Sequence, residues 1–236
     1  MNSVLKADEF HQNWEMVFCD DGSKIAGEPI VREVLGDKVS KVSFVNTNMS
    51  FDDKLAKGLI VGSIANSSMR NSDADLAIIL CDDDELHPQY LKNLSDFFQE
   101  NQDVDYCYSK IHIYNPLFQD SEAVESLSNT YNQFDGPIDP AGKVDATQVA
   151  WRISCFKEKG AMFTDTTKSA KLPMLNDIDR SFFQSLYENC GLCHPTGFVA
   201  QYKGVHDYQL LWHKSKDEND LRDYNNVCEE KGGVEF

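Results

Sequence analysis

Hydrophobic positions along this chain fall into short unbroken or alternating runs, separated by stretches in which they recur at helical spacing. Leu76-Ala77-Ile78-Ile79-Leu80-Cys81 is apolar without alternation, the pattern of a strand buried on both faces in the middle of a sheet. Trp14–Cys19 and Lys41–Val45 predict two earlier strands, and Val104–Tyr114 alternates like a further one. Helical stretches lie between them. Ser3–Phe10 predicts the tail of one helix, and Ile30–Leu35 a short amphipathic one closed by Gly36. Leu55, Leu59, Gly62, Asn66 and Met69, at spacings of four, three, four and three, predict a helix capped by Asp52 or Asp53. Pro88 opens another, with Tyr90, Leu91, Leu94, Phe97 and Phe98 on one face. Strands alternating with helices of this length predict an α/β domain with helices on both faces of a mostly parallel central sheet.

The second half is less regular. Residues 115–144 mix Pro116, Gly136, Pro137, Pro140 and Gly142 with polar residues and predict a loop or flap. Order returns over 145–214, with Thr147–Phe156 as an apolar strand and a helix carrying Ile178, Phe182, Phe183, Leu186, Tyr187 and Cys190 up to a stop at Gly191. Phe198–Tyr202 predicts a last strand and Tyr208–His213 a helix, while 215–236 reads as a charged tail.

Composition narrows the function. The chain has 236 residues, 41% hydrophobic and 26% charged, enough for one large domain. A formal net charge of −17 repels a phosphate backbone, which makes nucleic acid an unlikely partner. No run approaches the ~18 apolar residues of a transmembrane segment. The start, MNSVLKADEF, lacks the features of a signal peptide, so a cytoplasmic protein is expected. Seven cysteines, several in apolar surroundings, argue against a disulfide framework.

Candidate chemistry gathers where apolar runs end in acids. In an extended chain Asp82 and Asp84 would project together and Asp83 away. Two carboxylates that close repel unless a cation lies between them, and a divalent metal with oxygen ligands, Mg²⁺ or Mn²⁺, resolves this. A second junction, Asp20-Asp21-Gly22-Ser23, is a tight turn able to approach a ligand. Asn66, on the inner face of its helix, is either satisfied by backbone or offered to a ligand. Asn176-Asp177-Ile178-Asp179 begins a helix, and His206 follows the last strand. Cys190-Gly191-Leu192-Cys193-His194 matches haem-attachment, redox and half-zinc patterns, with structural thiols as the plainer reading. Trp151-Arg152 either lines a sugar site or packs in the core.

Taken in order, these clusters resemble the GT-A nucleotide-sugar glycosyltransferases, specifically the inverting group called family 2. The likeness runs through Trp14–Ser23, similar to the strand-then-DDGS segment that grips the nucleoside. It continues through Asn66 and through Asp82-Asp83-Asp84, similar to the DxD metal motif. It implies a GT-A three-layer α/β/α sandwich, a donor-binding half at 1–114 and an acceptor and catalytic half at 145–214. Asp20, Asp21, Asn66, Asp82 and Asp83 would then contact the nucleotide-sugar, while Asp82, Asp84 and His206 would hold Mn²⁺ or Mg²⁺. Asp177 matches the second position of the family's Glu-Asp pair and would be the general base. Asn176 replaces the Glu, which leaves Asp179 as a rival base. A UDP-sugar donor and a glycan or other hydroxyl acceptor follow from the resemblance. The alternatives are a nucleotidyltransferase acting on sugar phosphates and an inactive GT-A-like binding module. The family opens with one more strand and a helix within which Met1 would fall. If no other segment fills that gap, two strands are expected to keep unpaired edges.

Overall fold

The computed structural model describes residues 1–23, 25–48, 61–114, 128–164 and 178–204. Helix α1 (Asn2–Asp8) is tied down by its last residue: the Asp8 carboxylate accepts from the Trp14 indole at 2.7 Å and from Lys38 at 2.6 Å. Strand β1 (Met16–Asp20) then pairs in parallel with β2 (Val42–Asn46). Between them runs α2 (Gly27–Leu35), which buries Val31 and Leu35 and ends at Gly36, where φ is 53°. Helix α3 (Val61–Asn71) follows. The predicted start of that helix, with Asp52, Asp53, Leu55 and Leu59, lies outside the described residues.

Strand β3 (Leu76–Ile78) is shorter than its apolar run, and β4 (Asp84–Leu86) begins within the aspartate cluster. Then come α4 (Tyr90–Glu100) and β5 (Tyr106–Tyr114). After a 3₁₀ turn at Ala146–Gln148 come β6 (Val149–Arg152), α5 (Ile153–Lys157), α6 (Ile178–Cys190) and β7 (His194–Gly204). The apolar segment Thr147–Phe156 is therefore part turn, part strand and part helix. The helix ending at Gly191 lies where its periodicity predicts.

These strands form a five-stranded sheet in the order β3-β6-β5-β7-β4, with β1 and β2 as a separate pair. The larger sheet is mixed rather than mostly parallel: β5 and β7 are parallel, and every other pair in it is antiparallel. The reason is local. Strand β6 enters from a 3₁₀ turn and slots antiparallel between β3 and β5. Nor is β3 central; it is a half-buried edge strand. Among the described residues, neither the second edge of β1 nor the outer edge of β3 carries a paired strand.

Strands β3 and β4 occupy opposite edges yet are joined only by residues 79–83. A flat sheet would separate those edges by four strand spacings, roughly 19 Å. The joining segment cannot run straight across, because it contains a turn over Asp82 and Asp83 closed by the Asp84 N–H on Cys81 O at 3.3 Å. The sheet therefore curls. Fully buried Gln201 of β7 braces the curl, its Nε2 donating to Ile79 O at 2.9 Å and to Thr147 O at 3.0 Å.

Side-chain alternation along β5 divides the core into two layers, Tyr106 and Tyr108 joining one and Cys107 the other. The first layer centres on α6, where Phe182 stacks on Phe163 with ring centroids 3.8 Å apart and meets Trp151 edge-on at 4.9 Å. The second packs α1 and α4, through Val4, Ala7, Tyr90, Leu94 and Phe98, against Ala150 and Ala200. No disulfide joins any of the described cysteines, and no helix among the described residues is long and apolar enough to cross a membrane. Phe182 is fully buried, so Phe182→Ala should destabilise the domain by about 3–5 kcal/mol, read as a lowered midpoint in urea unfolding with an unchanged slope.

Candidate functional site

The acidic turn sits where the curl brings the two ends of the sheet together. Because Asp82 and Asp83 form a turn rather than extended chain, the neighbour of Asp84 is Asp83. One ligand atom each from Cys81, Asp83 and Asp84 lies within 4.8 Å of the others, while Asp82 is exposed and outside that group. Asp84 is the buried member, its side chain 0% exposed. Its Oδ1 accepts from the Gly204 N–H at 3.2 Å, and its Oδ2 has no hydrogen-bond partner. Burial pushes this carboxyl up to about 6; the nearby Lys203 ammonium opposes that rise, and the charges of Asp83 and Asp145 add to it. Burial, then the Asp84 charge, pushes the Cys81 thiol up to about 12, so it stays protonated at neutral pH.

Strand β7 shapes this turn. Lys203 stands directly opposite Asp84 in the β4–β7 ladder, its ammonium 3.9 Å from Asp84 Oδ2 and 3.1 Å from Asp145 Oδ2. The next residue has to be glycine, because a Cβ at Gly204 would lie 2.5 Å from the backbone oxygen of Asp83. Sequence reasoning missed Lys203 and Asp145. Their signal was present in the pattern: Gln201 and Lys203 put polar side chains at two successive inward positions of a strand, which is costly unless both find partners.

The other predicted residues differ in how the fold uses them. Asp20 is buried, and its carboxylate accepts from the N–H groups of Ser23 at 2.8 Å and Gly27 at 2.9 Å. Those backbone hydrogen bonds hold it below the usual carboxylate range and make it the organiser of the loop after β1. Asp21, at the same strand end, accepts from the Thr47 hydroxyl at 2.8 Å across to the exit of β2. The Asn66 amide is engaged by backbone, its Nδ2 donating to Phe163 O at 2.8 Å and its Oδ1 accepting from Phe163 N at 3.0 Å.

Asp179 lies in the first turn of α6. Burial, then the charge of Asp145, pushes the Tyr131 phenol up; Lys203 opposes that rise and Asp179 adds to it. Asn176, Asp177 and His206 lie outside the described residues. Trp151 packs in the core, and Arg152 donates to the carbonyls of Phe98, Asn101 and Val104 at 2.8, 3.2 and 2.9 Å, so both are structural. Cys193 is fully buried, and the Cys190–His194 segment contributes no residue to the metal-capable group among the described residues.

Carboxylate oxygens, one of them buried and without a hydrogen bond, are donors that suit a hard divalent cation, so the acidic group is one that could hold such an ion. Asp84 would hold the ion together with Asp83 from the same turn, and the expected Asp82 ligand stands outside the group.

No protein-family model matches this sequence. Over 158 residues, 65% of this chain and 34% of the other, it is 26% identical to the protein CgeD of Bacillus subtilis strain 168. In structure it is similar to S. aureus TarS, with a TM-score of 0.59 and 15% identity across 89% of this chain and 35% of that one. Against TarS 1–349 the TM-score is 0.60 at 17% identity, covering 89% of this chain and 57% of that one. The chain thus spans about a third of the length of CgeD and of the longer TarS chain. Its α/β fold resembles the GT-A domain of TarS, a family 2 glycosyltransferase, and its sequence is distantly related to CgeD.

Proposed function

We propose that this chain is the catalytic domain of a metal-dependent, inverting glycosyltransferase that moves a sugar from a UDP-sugar to the hydroxyl of a glycan or other acceptor. The observation that carries the reading is the buried, unpartnered Asp84 oxygen in an acidic turn at the end of a sheet with a GT-A-like fold. Asp84 is the principal metal ligand. Asp82 and Asp83, from the same turn, would meet the diphosphate, and His206, outside the described residues, would complete the metal ligands. Asp21 contacts the nucleoside, while Asp20 and Asn66 shape the walls, since their side chains are spent on backbone.

When bound, the cation supplies Lewis-acid stabilisation of the charge that develops on the departing nucleoside diphosphate. The chain's own part is proton removal. Asp177, which precedes α6 in the sequence, takes the proton of the acceptor hydroxyl as that oxygen attacks the anomeric carbon from the face opposite the leaving group. A single displacement inverts the configuration and needs no second nucleophilic carboxylate. Asp179, two residues on, is the rival for this role.

Calorimetric titration with UDP should show binding that strengthens with Mn²⁺, and the Mn²⁺ effect should disappear in Asp84→Ala. A folded protein that binds neither UDP nor other nucleoside diphosphates would favour the inactive binding module. Asp177→Asn should lower transfer by about 10²–10⁴-fold with unchanged UDP affinity. The same loss in Asp179→Asn, with Asp177→Asn active, would move the base to Asp179.

Asp84 also makes a stability prediction. Its carboxyl is raised from 3.8 to about 6 in the fold, so the folded state holds that proton more tightly than the unfolded chain. Its contribution is therefore most favourable at low pH, is lost as pH rises through about 6, and stays lost above. Without added metal, Asp84→Asn should melt higher than the parent protein at pH 7.5, with the gap closing below pH 4. Mn²⁺ should raise the melting temperature of the parent protein only.

A further inference from the structure

We infer that Asp145 is a tether for Lys203, holding the ammonium away from Asp84 so that the Asp84 carboxylate stays open to a divalent cation. The inference rests on the reading of Asp84 as a metal ligand and concerns how that site is kept ready. Lys203 and Asp84 face each other across the β4–β7 ladder, both largely shielded from water, with side chains 10% and 0% exposed. Two opposite charges so placed would ordinarily close into a hydrogen-bonded ion pair. They do not: Nζ stands 3.9 Å from Asp84 Oδ2, which is left without a hydrogen bond, and 3.1 Å from Asp145 Oδ2.

Asp145 can win this competition because it is rigidly mounted. It caps the 3₁₀ turn, its Oδ1 accepting from the Thr147 N–H at 3.1 Å and the Thr147 hydroxyl at 2.8 Å. Its own N–H donates to Gln148 Oε1 at 2.9 Å, and Gln148 Nε2 is anchored on Ser109 O of β5 at 2.9 Å. With Oδ1 committed to the cap, Oδ2 is fixed towards the lysine. The lysine in turn offsets part of the repulsion among Asp83, Asp84 and Asp145, and leaves an excess of negative charge that a divalent ion can match. Asp145 and Lys203 are thus positioning residues; neither needs to touch the ion.

The test is Mn²⁺ binding alone, followed by the loss of the free-ion electron paramagnetic resonance signal, on the full chain and on Asp145→Asn, Lys203→Met, the double variant and Asp84→Ala. Asn is as good an N-cap as Asp, so Asp145→Asn keeps the 3₁₀ turn while releasing the lysine. The freed ammonium should close on Asp84 and weaken Mn²⁺ binding by ~10-fold or more. Lys203→Met should bind at least as tightly as the parent protein. Adding Lys203→Met to Asp145→Asn should restore affinity to within about threefold of the parent, a reversal that simple structural damage would not produce. Unchanged binding in Asp145→Asn, or a double variant no better than Asp145→Asn, would overturn the tether while leaving the metal site intact. Equal Mn²⁺ binding by the parent protein and Asp84→Ala, or no binding by the parent protein, would overturn the metal reading and the tether with it.

Discussion

Joining the two edges of a five-stranded sheet through residues 79–83 constrains everything around them. The segment cannot cross a flat sheet, so the sheet curls, and the end of β7 is pressed onto the turn that carries the aspartates. Gly204 is the contact: its N–H reaches Asp84 Oδ1, and no side chain fits between it and Asp83 O. The same closure buries Asp84 and sets Lys203 opposite it. A carboxylate turn on a sheet edge would be a solvated surface feature; folded under β7, it becomes a desolvated charge cluster able to hold an ion.

Among the described residues, Ser3, Asp84, Tyr90 and Gln201 each keep a buried polar atom without a hydrogen bond, and Asp84 is the carboxylate of the set. Asp20, Asn66 and Arg152 each have side-chain atoms committed to backbone groups. Their burial is satisfied locally, which is how a fold ordinarily houses polar atoms. Asp84 keeps an orphaned oxygen in a place where desolvation already raises its proton affinity. Natural folds accept such a cost chiefly at sites that bind something. The fold that carries this turn resembles that of TarS.

Much of this was legible one element at a time. Periodicity located α4, α6 and most of their buried faces because helical amphipathicity is a local property of the chain, although Tyr187, expected on the inner face of α6, is exposed. The ends of β1 and β2 also fell within a residue or two of their apolar runs. The aspartates at Asp20–Asp21 and Asp82–Asp84 were visible as acids closing apolar runs, since carboxylates next to apolar runs stand out in any reading. The CxxCH segment and Trp151-Arg152 stood out equally, and the fold uses the latter pair for packing. Residue type alone does not distinguish a ligand from a core brace.

What the sequence by itself determined was composition, charge, the existence and order of most elements, and the presence of acids at strand ends. Strand order, the mixed sheet, the edge position of β3 and the placing of Lys203 between Asp84 and Asp145 were decided only by tertiary structure. The physical reason is separation along the chain. A side chain's spacing to its near neighbours is written in the local period, whereas the meeting of residues 84, 145 and 203 depends on how far the whole sheet must bend to close a short connection.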